Sequence, residues 1–177
     1  MLQMMTGEVI FGGVGAGFYG MTIYALLAMF FIGLMVGKSP MYLGKKIESY
    51  EIKAVIIALL LPSIVILGFT ALAANYPEAL KSLNNAGPHG LGEILYAYTS
   101  AAANNGSAFA GLNANTPFYN VTLAIAMFIG RFGVIIPIIA IAASMSNKKV
   151  YALSSGAVKS DNPTFSIFLA FTVLILG

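Results

Sequence analysis

Apolar residues along this chain fall into four blocks, separated by short basic connections or by one longer polar segment. The blocks cover about residues 9–36, 52–74, 118–145 and 165–177. A helix needs ~20 apolar residues to cross a bilayer core, so the first three blocks are long enough and the fourth is too short. Pro62 predicts a kink in the second block, and Pro137 lies inside the third. The pattern predicts an all-α membrane protein.

The composition supports this prediction. Hydrophobic residues make up 59% of the chain and charged residues only 8%, against about 25% charged residues in soluble domains. Mean hydropathy is +0.88. Six acidic residues, one histidine and no cysteine leave little material for a catalytic site, a disulfide framework or a thiolate metal site. The net charge of +3 is small and its lysines lie beside apolar blocks, so we expect no nucleic-acid partner.

The lysines predict how the blocks are oriented. Two connections are rich in lysine, whereas the polar segment at 75–117 holds only Lys81. By the positive-inside rule, the two basic connections lie in the cytoplasm and the polar segment faces outside. Their lysines are Lys38, Lys45, Lys46, Lys53, Lys148, Lys149 and Lys159.

The polar segment contains a short helix followed by a small uncharged loop. Residues 91–103 predict a helix of ~20 Å, too short to cross the bilayer. The loop after it is a candidate cation site, because backbone carbonyls and hydroxyls can replace the water shell of an ion and the carboxyl end of a helix dipole favours a cation. We predict a re-entrant pore helix; a helix lying on the membrane surface stays open as the alternative, since Asn-Gly is also a turn dipeptide. The candidate ion-binding residues are Asn104, Asn105, Gly106, Ser107 and Ala108.

A glycine-rich stretch interrupts the first block. Residues 15–20 match the dinucleotide pattern G-x-G-x-x-G, but no βαβ unit surrounds them and no acidic residue follows about 20 positions on, so we reject nucleotide binding. One helix over residues 1–36 would be ~54 Å long, which predicts a break that lines a cavity. Close helix packing through Gly13 and Gly17 is the alternative. The predicted break comprises Gly12, Gly13, Val14, Gly15, Ala16 and Gly17.

Two charged residues are candidates for a cavity inside the membrane. Arg131 lies in Gly-Arg-Phe-Gly at 130–133, which echoes Gly-Gly-Val-Gly at 12–15. An arginine at a helix centre costs at least ~2.5–3.5 kcal/mol, so it normally faces a bundle interior or water; a snorkelling structural arginine is the alternative. Glu8 either faces the same cavity or lies near the membrane boundary. We expect Glu93 to support the start of the short helix and His89 to lie in an outer turn.

Several motifs together carry a family resemblance over nearly the whole chain. They are Gly-Pro-His-Gly at 87–90, Asn-Asn-Gly-Ser-Ala-Phe-Ala-Gly at 104–111, Gly-Arg-Phe-Gly-Val-Ile-Ile-Pro at 130–137, Gly-Glu-Val-Ile-Phe-Gly-Gly-Val-Gly at 7–15 and Tyr-Leu-Gly-Lys-Lys-Ile at 42–47. The chain closely resembles the potassium-binding A subunit (KdpA) of the bacterial Kdp potassium-transporting P-type ATPase.

The resemblance implies a domain organisation. Members of that family are considerably longer and hold four potassium-channel-like helix–pore loop–helix repeats, so the chain resembles a C-terminal fragment. Residues 1–50 would hold the broken inner helix of the third repeat and its cytoplasmic connection, 51–149 the fourth repeat, and 150–177 a linker and a truncated final helix. Within the fourth repeat we expect an outer helix at 51–74, a pore helix at 91–103, a filter at 104–108 and an inner helix at 118–145.

The resemblance also implies a function. Residues 104–108 would form one quarter of a potassium selectivity filter, residues 12–17 a gate below it, and Arg131 would lie near the cavity or a tunnel. Potassium would be the transported ion, with no catalytic cofactor. A separate ATP-hydrolysing B subunit, accessory small subunits and membrane lipid would be the partners, in the bacterial inner membrane. A passive or ion-coupled potassium channel or transporter of the same superfamily is the alternative.

Overall fold

The computed structural model describes residues 17–107, 111–150 and 163–176, which are mainly helical. The helices are α1 (Gly17–Val36), α2 (Ser49–Asn75), α3 (Pro77–Leu80), α4 (Pro88–Ala103), α5 (Pro117–Asn147) and α6 (Pro163–Leu176). A small antiparallel hairpin, β1 (Met41–Tyr42) and β2 (Lys45–Lys46), lies between α1 and α2.

Three of these helices, α1, α2 and α5, are long and apolar enough to cross a membrane. α2 has 27 residues and α5 has 31, which correspond to ~40 Å and ~46 Å against a ~30 Å hydrocarbon core. Both helices continue through their internal prolines, Pro62 and Pro137. The prediction of an all-α membrane protein is confirmed.

α2, α4 and α5 extend slightly beyond the predicted ranges, because polar residues or proline occupy their ends. The short helix begins at Pro88 instead of residue 91, and His89, expected in an outer turn, lies in its first turn. Proline suits a first helical position because the N–H that it lacks would have no helical partner there. α5 begins at Pro117 after Thr116, whose hydroxyl accepts a hydrogen bond from the Tyr119 N–H at 3.4 Å.

α2 and α5 form an antiparallel pair around which the other elements are arranged. Glu51 of α2 contacts Ser144 of α5 at one end, and Tyr76 after α2 stacks on Phe118 of α5 at the other, with ring centroids 4.8 Å apart. We call the first the lysine end. We call the second the loop end, after the connecting segments 76–87 and 111–116 that lie there. α4 packs against both α2 and α5 near the loop end, while α1 packs on α2 and α6 packs on α1.

The core is divided between the two ends. A cluster near the lysine end joins side chains of α1 and α2 with Ile141 of α5. A second cluster near the loop end joins α2, α4 and α5 around the fully buried rings of Tyr98 and Tyr119. The Tyr98 hydroxyl also forms a 2.8 Å hydrogen bond with that of Thr122 on α5. Many large apolar side chains point away from both clusters, as expected of helices that face lipid or further protein.

A buried carboxylate joins α2 to the end of α5. Glu51 is 0% exposed, and its carboxylate accepts hydrogen bonds from the Lys148 ammonium at 2.9 Å, the Ser144 hydroxyl and the Glu48 N–H at 2.8 Å. The Lys148 ammonium also lies 3.1 Å from the exposed carboxylate of Glu48. Burial alone would lower the pKa of Lys148, but its hydrogen bonds with Glu51 and Glu48 outweigh burial and raise that pKa.

The hairpin is tied to the same place. Lys148 donates to the Lys46 carbonyl at 3.0 Å, and Lys45 donates to the Met145 carbonyl at 2.6 Å. The two residues of its turn, Leu43 and Gly44, have φ of 50° and 76°. Positive φ at both positions is the conformation that a two-residue hairpin favours. The lysine end is therefore one connected network.

We predict that Glu51→Gln destabilises the protein by about 2 kcal/mol, because it removes the charge that partners a largely buried lysine. Thermal unfolding of the complete subunit in detergent measures this. Glu48→Gln is the matched control: its side chain is 58% exposed, so the loss should stay below about 1 kcal/mol. Folding raises the pKa of Lys148, so the stability that its ion pairs contribute is complete below the ordinary pKa of 10.5. This stability is lost only as pH rises through the raised pKa. Equal losses for the two variants would contradict the assignment.

Candidate ion-binding site

The short helix α4 ends beside the middle of α5. An ideal Cβ added to Gly130 would lie 2.1 Å from the Ala102 carbonyl oxygen, a distance that no side chain tolerates. Gly130 lies about 20 Å along α5 from its start, at 1.5 Å per residue. The polar loop at 104–107, which follows α4, therefore lies beside the middle of α5. α4 itself begins near Tyr76 and Phe118, at the end of the helix pair that we call the loop end.

The chain then returns to the loop end and pairs with the segment that precedes α4. Leu83 and Leu112 form an antiparallel bridge, and the Asn113 N–H donates to the Ser82 carbonyl at 2.9 Å. The segment that precedes α4 and the segment that follows its loop are thus held side by side.

Glu93, which is 3% exposed, holds this junction from within α4. Its carboxylate accepts hydrogen bonds from the Asn84 N–H at 3.1 Å and the Asn85 side-chain amide at 2.6 Å. Gly111 lies against it, since an ideal Cβ there would be 2.6 Å from a carboxylate oxygen of Glu93. Glu93 supports the start of the helix, as expected from the sequence.

Two residues of the loop have a positive φ. Asn104 has φ of 54° and Gly106 has φ of 67°, whereas Asn105 between them is not in the positive region. Glycine reaches positive φ without a steric cost, and asparagine visits this region more often than most residues, so the residue types suit these two positions.

The polar side chains of the loop hold it against its neighbours. The Asn104 amide donates to the carbonyls of Ala102 and Met127, both at 3.1 Å. The Asn105 side-chain oxygen accepts from the Ser100 hydroxyl at 2.7 Å and from the Ser107 N–H at 3.0 Å.

The Ser107 hydroxyl, in turn, bonds with the Tyr96 hydroxyl. Within the described residues, no hydrogen bond reaches the backbone carbonyl oxygens of Asn104, Asn105 and Gly106. These oxygens are therefore candidate ligands for a cation.

Arg131 follows the glycine that contacts α4, and its side chain is exposed on α5. No carboxylate of the described residues forms an ion pair with it. Residues 130–133 resemble 12–15 in sequence, and α5 continues through them without a break. Gly130 and Gly133 serve close packing instead: an ideal Cβ on Gly133 would lie 2.4 Å from a Leu61 methyl group.

The structure brings together four of the five predicted ion-binding residues. Ala108 lies outside the described residues, as do Glu8, Gly12, Gly13, Val14, Gly15 and Ala16. Gly17 is the buried first residue of α1. The sequence analysis missed Ser100 and Tyr96, which contact the loop. Their spacing of four residues, which places both side chains on one face of α4, was the available signal.

These features define a helical membrane protein with a candidate cation site in a loop between two helices. The chain belongs to the KdpA family, described as the potassium-transporting ATPase A subunit, whose model matches residues 1–177. The family indicated by the sequence motifs is confirmed.

Curated relatives carry the name potassium-transporting ATPase potassium-binding subunit. A relative from Leptospira interrogans is 55% identical over 178 residues, one from Polynucleobacter asymbioticus 56% over 175, and one from Methylobacterium nodulans 55% over 177. The matches cover 99–100% of this chain and 32%, 29% and 31% of the relatives. The chain thus spans about a third of the length of these proteins.

We predict that Gly130→Ala destabilises the protein by about 1–3 kcal/mol, the usual cost of overpacking, because its Cβ would collide with backbone and not with a movable side chain. Gly68→Ala on α2 is the control, since no atom of the described part of the chain lies within 4 Å of an added Cβ there. That variant should be neutral or gain up to about 1 kcal/mol from helix propensity. Thermal unfolding in detergent compares the two, and equal midpoints would contradict the close approach.

Proposed function

We propose that this chain forms part of a potassium-binding and potassium-translocating subunit of an ATP-driven uptake pump. Family membership supports the general role, since the relatives are named as potassium-binding subunits of a transporting ATPase. The observation that carries the local assignment is the loop after α4. Its polar side chains hold the backbone, and no hydrogen bond from the described residues reaches the carbonyl oxygens of Asn104, Asn105 and Gly106.

In this proposal α4 is a re-entrant pore helix. Its 16 residues extend ~24 Å, less than a ~30 Å hydrocarbon core. Irregular backbone at that depth is tolerated where it is buried in protein or lines a water-filled cavity. The last turn of α4 points its partial negative charge at the loop, which favours a cation there. Carbonyl oxygens then replace the hydration shell of potassium.

One loop supplies only part of an ion's coordination shell. We propose that residues 104–108 form one quarter of a filter and that the remaining quarters come from the rest of the longer subunit. Residues 12–17 remain our candidate for a gate beneath that filter, with Glu8 and Arg131 near the cavity or a tunnel.

ATP hydrolysis belongs, in this proposal, to a separate B subunit, with accessory small subunits completing a complex in the bacterial inner membrane. The chain itself then has no enzymatic activity. A passive or ion-coupled potassium channel is the second candidate. Potassium-stimulated ATPase activity of the purified complex separates the two, because a passive channel would conduct without ATP and stimulate no hydrolysis.

Gly106→Ala should raise the potassium concentration needed for half-maximal ATPase stimulation roughly tenfold, or reduce discrimination against sodium. A non-glycine residue with positive φ costs ~1–2 kcal/mol, which shifts the loop away from its binding conformation. The experiment uses the complete subunit in its assembled complex.

Gly37→Ala is the matched control for this substitution. Gly37 has φ of 66°, against 67° for Gly106, and none of the described residues has an atom within 4 Å of an added Cβ at either position. Both substitutions therefore carry the same backbone cost, but Gly37 follows α1, far from the loop. If both variants keep wild-type ion dependence, the filter assignment is wrong.

Arg131 lies at the depth of the loop, because its neighbour Gly130 contacts the last turn of α4. It is more than 20 Å from the start of α5 at ~1.5 Å per residue. A long side chain cannot easily carry its charge that far to water, and an uncompensated arginine there costs at least ~2.5–3.5 kcal/mol. We therefore propose that it faces the ion path or a water-filled cavity in the complete protein.

Arg131→Met should change the apparent potassium affinity of the assembled complex severalfold, because it removes a positive charge beside the path. Arg131→Lys, which keeps the charge, should stay closer to wild type. Size-exclusion chromatography of the complex checks assembly, and potassium-stimulated ATPase activity gives the affinity. Normal transport by the Met variant, or failure of both variants to assemble, rejects the role.

A further inference from the structure

We propose that Ser100 is a positioning residue that sets ion selectivity. Its hydroxyl fixes the Asn105 side chain and, through that side chain, the backbone carbonyls of Asn105 and Gly106. This inference rests on the proposed function of the loop. Ser100 itself lies on α4 and need not touch the ion.

The contacts converge on one atom. Ser100 is 6% exposed, and its hydroxyl donates to the Asn105 side-chain oxygen at 2.7 Å. The same oxygen accepts the Ser107 N–H at 3.0 Å. The Ser100 hydroxyl also lies 3.4 Å from the Ser107 carbonyl, a weaker interaction. One amide oxygen thus links α4 to the residues before and after Gly106.

Gly106 makes such a constraint necessary. It adopts a positive φ, and among the described residues nothing lies within 4 Å of an added Cβ. Glycine moves readily among several backbone conformations. The position of its carbonyl is therefore set by hydrogen bonds to its neighbours, and a loop that selects between ions of different radius must hold its oxygens in place.

Tyr96 strengthens the same support. It lies four residues before Ser100, so both side chains share one face of α4. Its hydroxyl bonds with the Ser107 hydroxyl. The adjacent Thr99 is as buried as Ser100, at 5% exposed, but its hydroxyl donates to the Leu95 carbonyl of its own helix at 2.6 Å. Neighbouring hydroxyls therefore have different partners, the loop for Ser100 and the helix for Thr99.

The test compares Ser100→Ala with Thr99→Val in the complete subunit, assembled in its complex. Stimulation of ATPase activity by potassium, rubidium and sodium gives the half-maximal concentration and the maximal rate for each ion. Ser100→Ala should raise the half-maximal potassium concentration about threefold to tenfold, as expected for one buried hydrogen bond, and reduce discrimination among the ions at an unchanged maximal rate. Thr99→Val should stay within about twofold of wild type.

Two further variants separate positioning from general stability. If Ser100 acts through Asn105, the double variant Ser100→Ala/Asn105→Ala should have the ion dependence of Asn105→Ala alone, because coupled effects are not additive. Ser100→Thr, which keeps a hydroxyl at this position, should discriminate among the three ions as the wild type does. Additive effects, or the same change in Thr99→Val, would overturn the inference. If Ser100→Ala fails to assemble, Ser100→Cys decides, since wild-type discrimination with a weak thiol donor would also overturn it.

Failure of the proposed function has a different outcome. A wild-type complex without potassium-stimulated activity, or one in which Gly106→Ala changes nothing, would reject the filter and this inference together. Altered selectivity in Gly106→Ala with normal selectivity in Ser100→Ala would leave the filter in place and reject only the role of Ser100.

Discussion

The contact between Gly130 and the Ala102 carbonyl determines where the polar loop lies. Without a side chain at Gly130, the end of α4 rests directly on α5 near its middle. Any larger residue would push the two helices apart and with them the Asn104 amide, which bonds to the Met127 carbonyl one turn away. The depth of the loop thus follows from one close backbone approach, and the hydrogen bonds that shape the loop depend on it.

Two buried carboxylates hold the ends of the same arrangement. Glu51 at the lysine end joins α2, α5 and the hairpin through Lys148, and Glu93 at the loop end joins the segments before and after α4. A chain with only six acidic residues uses two of them at 0% and 3% exposure. Buried charges are costly unless they are paired and hydrogen-bonded. Their place here is at junctions where several chain segments must meet.

Apolar blocks predicted the long helices well, because a membrane span needs a run of apolar residues whatever it packs against. The sequence also indicated a small uncharged loop after the short helix, but its role as an ion site stays a prediction. Tertiary partners were not predictable in this way. Lys148 is far from Glu51 in the sequence, and nothing local indicates that Gly130 faces α4. The hairpin turn at Leu43 and Gly44 lacks the usual Asn-Gly signal. The tie from Ser100 to Asn105 depends on the left-handed turn at Asn104, a conformation that the sequence permits but does not require.

The hydrogen bonds on Asn105 also bear on the chemical durability of the protein. In an Asn-Gly pair the glycine nitrogen is unshielded and can attack the asparagine side-chain carbonyl. The side-chain nitrogen leaves as ammonia, and the resulting cyclic imide takes up water to give aspartate or isoaspartate. That reaction would insert a charge, or an additional backbone carbon, into the row of carbonyls. It requires the Asn105 side chain to turn back onto the Gly106 peptide. With its oxygen held by Ser100 and Ser107, the side chain is kept out of that orientation, so the support of the loop also protects it from spontaneous ageing.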